Sequence, residues 1–450
     1  MHPLTTPPIP SPSTPPLAAY RARRQRIAER MEDGAALLLH GGVLRTRSND
    51  TEHRFRPDSN FHYLTGLEEA GSMMLLRPGR TPEFVLFVQP RDPKVEMWRG
   101  RRVGPDRAIE IYGADAAYPV ERVDAELPRL LDGVSTVYVP FAAYVELDAT
   151  LHRALDALVR RDRLGEQSPE CLRDARALIG EDRLVKDAAA LQSLRRAVDV
   201  SARGHLAAMR AARPGVHEFE LEALLEYHFR RLGSSGPGYG SIVGTGDNAT
   251  ILHYVDNRSR LEDGELLLID AGAEWDYFTG DITRTMPVGG RFTPAQRDLY
   301  AVVLAANEAG IREARVGATI DGIYDVCLRT LCQGLRDLRL VEGSVDAILE
   351  RGDHHPYTRH RHSHWLGADV HDAGHYCLQR RPRPLAPGYV LTIEPGLYIP
   401  ADDPQAPAEL RGTGVRIEDD VLITDHAPEV LSAAVPKEIA AVEAIVGTGE

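Results

Sequence analysis

Four apolar runs punctuate the N-terminal part of the chain: ALLLH (36–40), SMMLLRP (72–78), FVLFVQP (84–90) and VYVPF (137–141). Each is nearly continuous rather than alternating, which predicts strands of a sheet covered on both faces. With helical stretches between them, residues from about Tyr20 to about Ala175 read as a compact α/β domain. The pattern then turns helical. A long helix is predicted from a cap at Asp187 to Pro214-Gly215, and a second over HEFELEALLEYHFRRLG, stopped by Gly233. Thr293-Pro294-Ala295-Gln296 is a capping-box signature with proline at the first helical position, opening a helix to about Arg315.

Beyond these helices the apolar runs carry acids. LLLIDAG (266–272) and VLTIEPG (390–396) share one design: an apolar run, an acid, one residue, then glycine. Each is followed by a second acidic strand, GDITRT (280–285) and VRIEDD (415–420). The repetition predicts a duplicated unit with a pseudo-twofold axis and its acids meeting at the centre. An unpaired carboxylate buried at a strand end costs several kcal/mol or more, so Asp270, Asp281, Glu394 and Glu418 call for partners. Asp270 and Asp281 flank the turn WDYFTG, and a hairpin brings neighbouring strands to within ~5 Å. Two carboxylates that close need a shared cation or a shared proton. With His364 as the single imidazole, the set is oxygen-rich and suits Mn²⁺, Co²⁺ or Fe²⁺, with Zn²⁺ also compatible. Two such ions ~3.5–4 Å apart would clamp and activate a bridging water.

Composition narrows the alternatives. A chain of 450 residues predicts more than one domain. A net charge of −13 argues against nonspecific nucleic-acid or anionic-membrane binding, and no apolar run is long enough to span a bilayer. The proline-rich start, residues 1–19, lacks the basic and apolar regions of a secretory signal and reads as a disordered extension. The Arg-rich stretch after it opens the first helix of the fold. Cys171, Cys327, Cys332 and Cys377 form no C-x-x-C pair, which fits reduced thiols in a cytoplasm. His354, His355 and His362, in the His- and Arg-dense stretch before His364, read as solvent-exposed.

The ordered string ILHYVDN, LLLIDAG, GDITRT, HSHWLGADVHD, LTIEPGLYI and GVRIEDD resembles the pita-bread metallopeptidases, and within them the proline-specific aminopeptidase P branch. RSNDTEHRFRPDSNFHYLTG (47–66) and VEMWRGRR (95–102) are similar to that family's N-terminal domain. The resemblance implies an N-terminal domain over 20–178 and a catalytic pita-bread domain over 179–450. It implies two divalent ions per subunit, manganese first, with Asp270 on one, Asp281 and Glu418 bridging both, and His364 and Glu394 completing the second. His253 and His371 match the family's two active-site histidines, His360 a further one, and Tyr239 and Arg416 residues lining the site. Trp98 resembles a residue at the pocket mouth, where a neighbouring subunit can supply it, and related enzymes imply dimers or tetramers.

The activity so implied is hydrolysis of the first residue from peptides with proline second, by a hydroxide held between the two ions. Glu394 would accept its proton, His371 would stabilise the oxyanion and His253 would orient the substrate, whose amine would lie near Asp270. An Xaa-Pro bond lacks the N–H that general peptidases use, which makes a specialist useful. A prolidase acting on Xaa-Pro dipeptides shares the ligands and remains open, as does a non-catalytic peptide-binding module on the same fold.

Overall fold

The computed structural model describes residues 16–449 and divides into two compact units, one ending at Asp182 and the other beginning at Arg183. The extension expected over 1–19 lies mostly outside the described residues. Its last three residues do not belong to it, because Leu17 opens a helix to Arg30 directly after Pro16.

In the N-terminal unit the four apolar runs form the interior of a six-stranded sheet, in the order 116–119, 84–88, 73–76, 35–40, 136–139, 171–174. Alternate side chains feed two cores. Leu37, Leu39, Met74 and Leu86 face one layer, and Ala36, Leu38, Leu75 and Phe87 the other, so both faces are covered. The two strands that carry no apolar run are the sheet's two edges. Ala116–Pro119 is half-buried and Cys171–Asp174 mostly exposed.

The second unit repeats one connectivity: a helix pair, an irregular segment, then a long broken hairpin. The first pair is Ala188–Ala211 and Glu218–Arg231, the second Pro294–Glu313 and Ile320–Asp337. Their starts are fixed locally. Asp187 accepts from the Ala190 N–H, and Thr293 and Gln296 cap each other with Pro294 at the first turn. In the first hairpin, Leu266–Ala271 pairs with Ile282–Pro287, and Ala273–Trp275 with Phe278–Thr279. In the second, Val390–Ile393 pairs with Asp419–Leu422, and Gly396–Ile399 with Thr413–Arg416. Both therefore break midway, and the acids stand at the breaks. At the first break the chains come so close that a Cβ on Gly272 would lie 1.7 Å from the Gly280 carbonyl, so only glycine fits. A bridge between Thr283 and Glu418 joins the two hairpins.

Candidate active site

The breaks converge on one cavity of about 840 Å³, lined by Tyr239, His253, Asp270, Asp281, His360, His364, His371, Glu394, Arg416 and Glu418 among others. Ten of the eleven site positions named from the sequence line this cavity: all but Trp98 lie in the C-terminal unit, and Asp270, Asp281, His364, Glu394 and Glu418 occupy its floor. Trp98 is 83% exposed on the helix Pro93–Arg99 of the N-terminal unit and is not among the residues lining this cavity.

Register explains how each acid arrives. Asp270 is on the strand Leu266–Ala271, opposite Thr283, and Asp281 immediately precedes the return strand. Glu394 follows Ile393, and Glu418 sits between the two return strands of the second hairpin. His364 comes from the irregular segment, which runs beside the second hairpin. The Thr392 N–H donates to the His364 carbonyl at 2.9 Å, and the Glu394 N–H to the His362 carbonyl at 3.0 Å. His364 Nδ1 faces the Trp365 carbonyl at 3.0 Å. That leaves Nε2 pointing at Asp281 Oδ2 (3.4 Å) and Glu394 Oε1 (3.3 Å), the orientation a metal-ligating imidazole needs.

The surrounding donors fall short of the carboxylates they face. The Tyr239 hydroxyl lies 2.6 Å from Asp270 Oδ1 and 2.5 Å from Asp281 Oδ1, yet carries one proton for the two. Arg416 donates to Asp270 at 2.6 Å and to the Tyr398 hydroxyl at 3.0 Å. Thr283 donates to Glu418 at 2.6 Å. Burial and then mutual repulsion push the acids up. Glu394 rises to about 7, with Asp281 adding to the effect of burial, and Glu418 rises well above the usual carboxylate range. Asp281 rises too, through burial and then Asp270. His364 rises to about 9, because Asp281 and Glu394 outweigh the burial that opposes its charge. The ligand atoms of Asp281, His364 and Glu418 lie within 4.8 Å of one another, with Asp270 and Glu394 beside them. Negative charge gathered without enough protons or cations is the environment divalent metal ions satisfy, and this donor set fits them.

The remaining residues stand around this floor. His360 Nε2 lies 2.9 Å from the Tyr398 hydroxyl, and burial, then Arg416, lowers its pKa to about 4, so it is neutral. His371 meets the His364 ring edge-on at 4.4 Å. Neither His371 nor His253 has a hydrogen-bond partner among the described residues, and both are exposed to the cavity. Two histidines expected on the surface are instead buried. His362 packs its ring 4.7 Å from Tyr324 and meets Thr358 at 3.1 Å, and His354 is buried with its ring 4.2 Å from that of His355. Residues the sequence reading passed over complete the site: Thr283, Tyr398, and Asp420, which accepts the Asp281 N–H at 3.0 Å. Thr283 stands two residues after Asp281 on a strand and so shares its face, a signal the sequence did carry.

Carboxylates crowded about one correctly turned imidazole, on twin broken hairpins, define a metallopeptidase centre. Residues 192–425 match the metallopeptidase family M24, and residues 20–138 match the aminopeptidase P N-terminal domain. The chain belongs to the M24 family, in its aminopeptidase P branch. It is 41% identical to the Xaa-Pro aminopeptidase of Escherichia coli K12 over 95% of this chain and 97% of that one. It is 38% identical to the enzyme of Haemophilus influenzae over the same shares. Among solved structures, the aminopeptidase PepP of Pseudomonas aeruginosa superposes with a TM-score of 0.94 at 42% identity, covering 96% of this chain and 98% of that one. A zinc-substituted Escherichia coli aminopeptidase P in complex with product superposes with a TM-score of 0.93 at 40% identity, covering 95% and 98%. Among the described residues, no helix is long and apolar enough to cross a membrane.

Proposed function

We propose that this chain removes the N-terminal residue from peptides whose second residue is proline, with two divalent ions per subunit, manganese ahead of cobalt, zinc or iron. The observation that carries this is the convergence of Asp281, His364 and Glu418 within 4.8 Å, flanked by Asp270 and Glu394, in an open cavity. Asp270, Asp281, His364, Glu394 and Glu418 are the residues that would hold the ions, with Asp281 and Glu418 placed to be shared between them. Bound there, divalent cations supply the positive charge that acidifies a water and polarises a carbonyl.

The chain's own residues do the rest. Glu394, whose carboxylate borders the cavity between His360 and His364, accepts the water's proton and passes it toward the leaving nitrogen. His371 donates to the carbonyl oxygen as it gains charge. His253, on the opposite loop, orients the substrate backbone. Arg416 holds Asp270 and Tyr398 in place, and His360 and Tyr239, which line the cavity, are the residues against which a proline ring packs. Two finer parts belong to the same reading: action in the cytoplasm, and a homo-oligomer in which Trp98 meets a neighbour's cavity mouth.

The test is hydrolysis of a matched pair, Xaa-Pro-Yaa and Xaa-Pro, by chelator-stripped protein with and without added Mn²⁺. Metal-dependent release of Xaa from the tripeptide, with little dipeptide turnover, is expected. Preference for the dipeptide would make the chain a prolidase, and no turnover with any divalent metal would make it a binding module.

A further inference from the structure

Three buried charged groups of the catalytic unit take no part in the chemistry above. Arg183 and Lys186 precede the helix Ala188–Ala211, and Asp372 directly follows His371. Their side chains are 1–2% exposed. Arg183 Nη2 donates to Asp372 Oδ1, while Lys186 Nζ donates to Asp372 Oδ2 at 2.9 Å and to the Arg183 carbonyl at 2.9 Å. Arg183 also reaches Asp369 at 2.6 Å. Gly367 closes the other side. A Cβ there would lie 2.1 Å from Asp372 Oδ2 and 3.0 Å from Lys186 Cε.

Stability is a poor reason for this arrangement, because apolar residues of similar volume commonly serve as well as a buried ion pair. What the arrangement fixes is backbone. The Asp372 N–H donates to the Trp365 carbonyl at 2.8 Å, the same oxygen that His364 Nδ1 faces at 3.0 Å. His371 has nothing of its own to hold it: no hydrogen bond among the described residues, and one ring contact, to His364. Its direction is therefore set by the residue after it.

We infer that Asp372, clamped between Arg183 and Lys186, is a positioning residue that holds His371 at the edge of the catalytic cavity. This rests on the role given to His371 above.

The test uses the full-length, metal-loaded protein. Asp372→Asn is expected to lower kcat on Xaa-Pro-Yaa by up to about 10²-fold, the scale of a misplaced catalytic group, with KM and metal content nearly unchanged. Placed on top of His371→Ala, the same substitution should cost less than about 3-fold more, since the residue it positions is gone. Gly367→Ala, which pushes the carboxylate off its cations without changing any charge, should reproduce the pattern more weakly. Lys186→Met keeps the Arg183 bond and serves if Asp372→Asn does not accumulate folded. A merely structural role would instead lose metal and activity together and add fully to His371→Ala. Either that result or an unchanged kcat overturns the inference. Amide exchange of residues 364–373 in the metal-free variants gives a readout independent of turnover. It should quicken at least about 10-fold there, with any further change confined to residues 183–187, which lose the same bonds. Unchanged exchange also overturns the inference. A wild-type chain that fails to hydrolyse Xaa-Pro-Yaa would defeat the peptidase reading while leaving the exchange result to decide this one.

Discussion

The two halves of the catalytic unit repeat one connectivity but divide the charge unequally. At the cavity floor the first half contributes Asp270 and Asp281, with the uncharged Tyr239 hydroxyl between them. The second contributes Glu394, Glu418 and His364 on the floor and most of the basic groups around it, His360, Arg361, His371 and Arg416, against His253 alone from the first. Each half also holds an acid of the other. Thr283 of the first hairpin donates to Glu418, and Arg416 of the second donates to Asp270, both at 2.6 Å. Duplication thus supplies the geometry twice, but charge balance is achieved only across the pair. A substitution in one half should be felt through the other.

The hardest blow to that comparison is Asp281→Asn. Asp281 is the acid that meets Tyr239, His364 and the Asp420-anchored backbone at once. Its replacement is expected to abolish turnover and to cut bound metal from two equivalents to one or none, measured by elemental analysis beside the peptide assay. Full activity with one equivalent would remove its bridging role and make the halves independent.

His371→Ala strikes the second half without touching a carboxylate. Both metals should remain while kcat falls about 10²-fold, the usual cost of losing one oxyanion donor. Unchanged turnover would rule out that role.

How far this plan was written in the sequence depends on what each residue needed. The acids were legible because an apolar run ending in Asp or Glu is costly without a partner, and the helix starts because Asp187 and Thr293 bond locally. The central strands of the N-terminal sheet were legible because both their faces are buried, and its edge strands were not, because Cys171–Asp174 faces solvent and needs no apolar residues. Partnerships made across the chain left no trace. Asp372 meets Arg183 from 189 positions away. His362 looked like a surface residue because its type is polar, and only the fold supplies Tyr324 and Thr358 to cover it.

The charge imbalance should also be visible as a pH effect on the metal-free protein. Glu394 titrates at 4.5 when unfolded and about 7 when folded, so the folded state holds an extra proton between them. That contribution to stability is complete below about 4.5 and lost as pH rises through 7. His364, raised from 6.5 to about 9, contributes fully below 6.5 and loses its share as pH rises through 9. The melting temperature of chelator-stripped protein should therefore fall by several degrees from about pH 5 to pH 9. Added Mn²⁺ replaces the protons and should open a gap over the stripped protein that widens with pH. A gap constant across that range would mean the acids are not competing for protons and metal.

The smallest effect expected separates the two segments that carry the exposed histidines. His371 is backed by buried ions, whereas His253 lies on the loop 246–260, which is backed by hydrogen bonds to one buried carboxylate. Glu218 accepts from the Thr245 N–H at 2.8 Å and Asn248 Nδ2 at 3.0 Å on one oxygen. On the other it accepts from the Tyr254 hydroxyl and the Ser259 N–H, both at 2.8 Å. All four are donors, so Glu218→Gln turns an NH₂ against two of them and forfeits charge-assisted bonds worth roughly 1.5–3 kcal/mol each in a buried setting. Tyr254 is next to His253, so the loop that orients substrate should loosen while the floor of the cavity, whose ligands lie on other segments, keeps its metals. The expectation is a KM raised about 3- to 10-fold, with kcat within about 2-fold, since binding alignment is lost without loss of a group that acts on the transition state. A fall in kcat like that of His371→Ala at unchanged KM would mean that His253 shares the oxyanion role and that the two halves divide the chemistry more evenly than their charges do.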